Sequence, residues 1–173
     1  MDAQTATNLI NLDKHVIEKG KIIDTKIIKL ESPIRLRLDL VSSDDSEQVF
    51  IVDIKESEKK ALKISLHHLD DITKHGLLRI DYHQRHKNPE VVLESVPEKF
   101  KPYAGIYLDK KPGHIHYVVD GYKQLVWAIP LDKDNFRIKD ISRQHGIIPV
   151  LKSFFDIINV RTNIDLHLQM RLQ

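Results

Sequence analysis

The stretch "IRLRLDL", residues 34–40, decides the fold class. Ile34, Leu36, Leu38 and Leu40 alternate with Arg35, Arg37 and Asp39. A period of two puts the apolar side chains on one face of an extended strand and the charges on the other. Such a strand is half buried, so its sheet has one covered face and one facing water. Working outward, "VFIVDI" (49–54) and "ALKISLH" (61–67) read as two further strands, joined across the polar "VSSDDSEQ" and the charged "KESEKK". A meander is the simplest connection. "GLLRIDYH" (76–83) sets Leu78, Ile80 and Tyr82 on the buried side and Arg79, Asp81 and His83 on the other.

Helices are expected only near the two ends. Leu9, Leu12, Val16 and Ile17 recur at helical spacing over residues 3–19, with Gly20 as a stop. Val150, Phe154 and Ile158 do the same over 149–158, with Pro149 suited to a first turn. Between them, residues 84–113 carry Pro89, Pro97, Pro102 and Pro112 with little periodicity and read as a long excursion, a kind of loop that often carries function. Residues 114–119 and 124–130 read as strands about an Asp120-Gly121 turn. "IDLHLQMRL" (164–172) alternates again, with Ile164, Leu166, Leu168, Met170 and Leu172 inward and Asp165, His167, Gln169 and Arg171 outward. The expectation is one α+β domain over residues 1–173: a mainly antiparallel, twisted sheet of about seven to eight strands, with an N-terminal helix and a second helix toward the C-terminus.

Composition narrows the classes. With 173 residues, 41% hydrophobic and 30% charged, the chain can bury one sizeable core and is not disordered. A net charge of +2 does not by itself announce a nucleic-acid partner. The absence of cysteine excludes disulfides and thiolate metal sites, so any metal needs histidine and carboxylate ligands. The polar N-terminus is no signal peptide, and no run approaches the roughly 20 apolar residues of a membrane span. A cytoplasmic protein with no membrane association is expected.

The chemistry concentrates in four histidines. His114 and His116 in "GHIHY" lie two apart on one strand face, with Cα atoms about 6.6 Å apart. If that strand pairs with 77–83, Arg79, Asp81, His83, His114 and His116 share one sheet face, and His86 can fold over it from the excursion. One chemistry for such a set is metal binding by neutral imidazoles, with His83, His86, His114, His116 and Asp81 as the ligand set for zinc or another divalent ion, and Glu90 as a further carboxylate. The other requires no cofactor. One histidine takes the proton of a ribose 2′-hydroxyl, another protonates the leaving oxygen, and Arg79 or Arg85 stabilises the phosphate. In that reading His83, His114, His116 and Arg79 are catalytic, and His86, Arg85, Lys87 and Asn88 bind substrate. The plainest reading is a polar, solvated histidine row with no chemistry. Lysines and arginines alternate with Phe100, Tyr103 and Tyr107 through the excursion, a mixture suited to RNA. Glu90, Glu94, Glu98 and Asp109 dilute it. Trp127 and Tyr122 read as core or hairpin packing, and histidines 15, 67, 68, 75, 145 and 167 as structural or solvated.

The motif order resembles an uncharacterised family of small proteins found on phages and other mobile elements. The elements are Leu9-Ile10, His83, His86-Lys87-Asn88-Pro89, Pro112-Gly113-His114-Ile115-His116, Asp120-Gly121-Tyr122 and Trp127-Ala128-Ile129-Pro130-Leu131. Gln84-Arg85, Glu90-Val91 and the inserted Gly113 depart from the family pattern. More distantly, the order Arg79, Asp81, His83, His86, His114, His116 looks like the layout of TumE-type toxins. That likeness implies a toxin that cuts RNA and is restrained by an antitoxin. A different reading is a non-catalytic mobile-element protein that binds and inhibits a host defence factor, with the long loop as its interface.

Overall fold

The computed structural model of the chain describes residues 1–44 and 47–169. Helix α1 (Ala3–Asn11) opens the chain, capped by the Asp2 carboxylate, which accepts from the Thr5 N–H. Strands β1 (Lys14–Glu18), β2 (Lys21–Ile22), β3 (Thr25–Leu30), β4 (Arg35–Ser42), β5 (Val49–Glu56), β6 (Ile64–Asp70) and β7 (Gly76–Tyr82) follow. The excursion holds only the two-residue strands β8 (His86–Lys87) and β9 (Tyr107–Leu108) and a short 3-10 turn at Lys101–Tyr103. Strands β10 (His114–Tyr117) and β11 (Trp127–Pro130), helix α2 (Ile147–Ile157) and β12 (Asn163–Leu168) complete the chain. Among the described residues, no helix is long and apolar enough to cross a membrane.

The fold is α+β. Eight strands form one antiparallel sheet in the order β11-β10-β7-β6-β5-β4-β1-β2, with the meander β4 to β7 at its centre. Alternation in β4 is as expected, with Ile34 just before it, Leu38 and Leu40 buried and Arg35, Arg37 and Asp39 exposed. One cross-strand row, Leu36, Ile54, Leu66, Ile80, Ile115 and Ile129, faces the core. Val150, Leu151, Phe154 and Phe155 of α2 and Ala6 of α1 are buried in that core. Full burial of each aliphatic or aromatic side chain contributes about 1.5–3 kcal/mol.

Three expectations need correction. Residues 3–19 are not one helix: α1 stops at Asn11, and residues 14–18 are a strand. The β-branched pair Val16-Ile17 favours extended backbone, and Lys19 and Gly20 adopt φ of 49° and 74° in the two-residue turn joining β1 to β2. Gly20 is therefore a hairpin glycine and not a helix stop. The strands 114–117 and 127–130 do pair antiparallel, but through a loop of residues 118–126 that contains the Asp120-Gly121 bend. Finally, β12 lies outside the large sheet and pairs in parallel with β3, a stretch for which no element is expected from the sequence. The expected positions of Met170, Arg171 and Leu172 fall outside the described residues.

Beneath the helices lies a buried lysine with no sequence signature, its pKa pushed down to about 7 by burial. Lys14 is fully buried, and its Nζ donates to the carbonyls of Ile10 (2.8 Å), Leu12 (2.7 Å) and Ile158 (3.0 Å) while lying 4.7 Å from the centroid of Phe50. These carbonyls belong to the chain ends of both helices, where backbone acceptors lack intrahelical donors.

Candidate histidine, aspartate and arginine site

The site follows from register. β7 and β10 pair antiparallel with His114 opposite Asp81 and His116 opposite Arg79. Directly paired residues project to the same side, so the four side chains share the face opposite the hydrophobic row. The rows continue across the sheet. Arg37, Asp53, His67, Arg79, His116 and Ala128 form one, and Arg35, Lys55, Ser65, Asp81, His114 and Pro130 the other.

This polar face is open over β4 and β5 and closed over β10. Arg37 is 61% exposed and Arg79 31%, whereas His114 and His116 are 1% and 0% exposed. The histidines are therefore not a solvated row. The cover is the excursion, which wraps the free edge of β11. His86 Nε2 donates to the Val126 carbonyl (2.8 Å), and the Asn88 carboxamide takes both backbone groups of Ala128. On the core side Phe100 packs edge-on against Trp127 and Tyr117. Trp127 is fully buried and Tyr122 stacks edge-on upon it, as expected of core and hairpin packing.

At the centre stands Asp81. Its Oδ1 accepts from Ser65 Oγ (2.5 Å), and its Oδ2 lies 3.0 Å from Arg79 Nε, 3.1 Å from His116 Nε2 and 3.6 Å from His114 Nε2. Burial alone would raise this carboxyl's pKa, but the contacts with His114, His116 and Arg79 outweigh it and hold the group well below the usual carboxylate range. His116 Nδ1 donates to the Leu125 carbonyl (2.8 Å), and its Nε2 lies 3.0 Å from Arg79 Nη2. Burial pushes His116 down to about 4, so the ring is neutral at pH 7 and carries a lone pair on Nε2. The rings of His86, His114 and His116 form one group, with centroid separations of 4.6 Å (His86 to His116), 4.9 Å (His114 to His116) and 5.7 Å (His86 to His114). Neither ring nitrogen of His114 has a hydrogen-bond partner.

Not every expected residue joins. His83 follows β7 at a φ of 55°, and this left-handed backbone breaks the strand alternation. Its Nε2 donates instead to the Ile141 carbonyl (2.8 Å) and lies 3.2 Å from Asp140. Arg85 and Lys87 are exposed and pair with Asp109 and Glu90. Asn88 is 1% exposed and committed to backbone, so it is a clasp on the edge strand and not a group offered to substrate. Three participants are not expected at the site from the sequence: Ser65, Gln84, whose Nε2 lies 3.4 Å from Asp81 Oδ1, and His67, which reads as structural or solvated and lies beside Arg79. His67 is lowered to about 4 by burial and then by the Arg79 charge. Alternation of Ser65 and His67 in β6, set opposite Asp81 and Arg79, is the pattern that could have shown them.

A carboxylate oxygen of Asp81 and one nitrogen each of His114 and His116 lie within 4.8 Å of one another, so these three residues could hold a metal ion. The same groups can also move protons and bind a phosphate. Neither a curated protein nor a solved structure matches the chain. A family model described as "Family of unknown function (DUF6978)" matches residues 1–160, and the chain belongs to that family.

Proposed function

We propose that this protein is a histidine-dependent ribonuclease of toxin type, encoded on a mobile element and restrained by a partner. The observation that supports this most is the convergence of Arg79, Asp81, His114 and His116 on one volume, with Arg79 the member that meets solvent. An RNA phosphate would bind the Arg79 guanidinium, which turns outward from Asp81, and movement of the excursion that covers β10 would uncover the two rings. One neutral imidazole accepts the 2′-hydroxyl proton as O2′ attacks phosphorus. The second ring, protonated, gives its proton to the departing 5′-oxygen, leaving a 2′,3′-cyclic phosphate. The Leu125 carbonyl orients His116 through Nδ1, and Asp81 holds its negative charge beside both rings. His83 has no part in this step because its ring is held by Ile141 and Asp140.

The test is incubation of purified protein with single-stranded RNA. Cleavage by the wild type and its loss in a folded His116→Gln variant are the expected results. RNA left intact by the folded wild type contradicts the proposal.

A second reading draws on the excursion's outer surface. Val91 (68%), Leu93 (42%), Ile106 (47%) and Tyr107 (69%) are exposed there, an apolar set suited to a protein partner such as an antitoxin or a host defence factor. Under this reading a stable complex forms in host lysate and survives His116→Gln. Failure of Val91→Asp with Tyr107→Asp to weaken that complex counts against it.

A further inference from the structure

We infer that Asp81, His114 and His116 form a binding site for one divalent cation of the zinc class, with Arg79 as its built-in competitor. This inference rests on the covered geometry of the site and not on RNA cleavage.

The first support is the donor spacing. Four ligands at zinc bond lengths of about 2.0–2.1 Å stand about 3.3 Å apart in a tetrahedron. Asp81 Oδ2 lies 3.1 Å from His116 Nε2 and 3.6 Å from His114 Nε2, on either side of that value. A third ring, His86, stands beside both histidines, and its Nε2 is already committed to the Val126 carbonyl. The donor set is two nitrogens and one carboxylate oxygen, all hard or borderline, as suits zinc or manganese and not a thiolate-seeking ion.

The second support is an unmet hydrogen-bonding demand. His114 is 1% exposed, yet neither ring nitrogen has a partner within hydrogen-bond distance, Asp81 Oδ2 standing 3.6 Å from Nε2. Leaving a buried polar group unpaired is costly, and native proteins rarely do so without a reason. His116 has partners on both nitrogens. Its Nδ1–H is given to the Leu125 carbonyl, and its Nε2 lies 3.1 Å from Asp81 Oδ2 and 3.0 Å from Arg79 Nη2. A cation in place of that guanidinium would sit between the nitrogen and the carboxylate. The Leu125 carbonyl then does what an outer carbonyl does in metal sites, fixing the tautomer so that the other nitrogen faces the ion.

Arg79 explains how the cluster persists without an ion. Its Nε lies 3.0 Å from Asp81 Oδ2 and its Nη2 3.0 Å from His116 Nε2, so the guanidinium supplies positive charge to the same lone pairs. Being 31% exposed, the side chain can turn outward to solvent. A metal ion and Arg79 thus exclude each other, and this sets the site apart from a purely structural polar cluster. In a structural cluster, removing Arg79 only loosens the fold. In a cation site with a competitor, removing it tightens metal binding.

The experiment is titration of the purified full-length chain with zinc alone, by calorimetry and by metal analysis after gel filtration, with no RNA present. One ion per chain is expected. Arg79→Ala should bind zinc about tenfold more tightly, because a like charge within a few ångström is removed. Asp81→Asn and His114→Gln should weaken binding by at least about tenfold, since losing a mere orienting partner already costs that much. His167→Ala, at an exposed histidine paired with Asp165, should change nothing and controls for surface binding. Circular dichroism on each variant separates loss of binding from loss of fold. Absence of stoichiometric binding in both wild type and Arg79→Ala overturns the inference, as does zinc binding that is indifferent to Asp81→Asn and His114→Gln. Zinc bound without RNA cleavage sinks the proposed function and leaves this site standing; cleavage without zinc does the reverse.

Discussion

Asn88 closes the free edge of the sheet on Ala128. Its Nδ2 donates to the Ala128 carbonyl at 2.8 Å, and the Ala128 N–H donates to its Oδ1 at 2.8 Å, so one side chain does the work of a strand residue. Edge strands otherwise present unpaired backbone groups. Asn88→Ala leaves both groups of Ala128 buried and unpaired, at a cost of about 2–4 kcal/mol. Asn88→Asp keeps the acceptor and loses the donor, and should cost about half as much. Urea unfolding of the two variants checks the order, and equal losses would show that the pair acts only through packing.

Lys14 joins the ends of both helices through three carbonyls. Lys14→Met keeps the length of the side chain but strands those acceptors, with an expected loss of roughly 3 kcal/mol. Chemical denaturation measures it. A variant as stable as the wild type would mean that water replaces the ammonium.

His68 lies in the core beside Phe50, and Lys14 and His67 are the titratable groups whose charge acts on it. Burial pushes its pKa down to about 3, against about 6.5 in an unfolded chain. Between those values the unfolded chain binds the extra proton. The stability His68 permits is therefore complete above pH 6.5 and lost as pH falls, at up to about 1.4 kcal/mol per pH unit. His68→Leu should remove about 2 kcal/mol of the stability difference between pH 7 and pH 4.5. Parallel pH curves for wild type and variant would place the acid sensitivity elsewhere.

Arg79 is the group through which phosphate would be received. Arg79→Lys keeps the charge but loses the planar fork that spans Asp81 and His116. Cleavage of RNA should drop about 10²-fold or more, with most of the loss in kcat. An effect on KM alone would make Arg79 a simple anchor for the strand.

The alternation in residues 34–40 and 76–82 is readable because period two has one structural meaning, whereas the pairing of β7 with β10 enters the sequence reading only as a condition, which the structure meets with His114 opposite Asp81 and His116 opposite Arg79. Val16 and Ile17 misled because their spacing to Leu9 and Leu12 fits a helix while their branching fits a strand. Counting along β7 puts His83 on the polar face, and the positive φ of His83 itself turns that count aside. Asn88 gives no local sign of its role, since it binds backbone far away in the chain, and neither does Lys14 of its bond to Ile158. Burial of His114 and His116 was likewise illegible, because the cover comes from a segment without periodicity.

The central claim is that Asp81, Arg79, His114 and His116 act together on a ribose phosphate. Its most direct measurement is cleavage of a short RNA compared with the same oligonucleotide carrying one 2′-deoxyribose at the cut position, with the product ends identified by mass. The account predicts a 2′,3′-cyclic phosphate from the RNA, no cut at the deoxy position, and neither product from His114→Gln or His116→Gln. Equal cutting of the two strands, or full activity in both histidine variants, contradicts it.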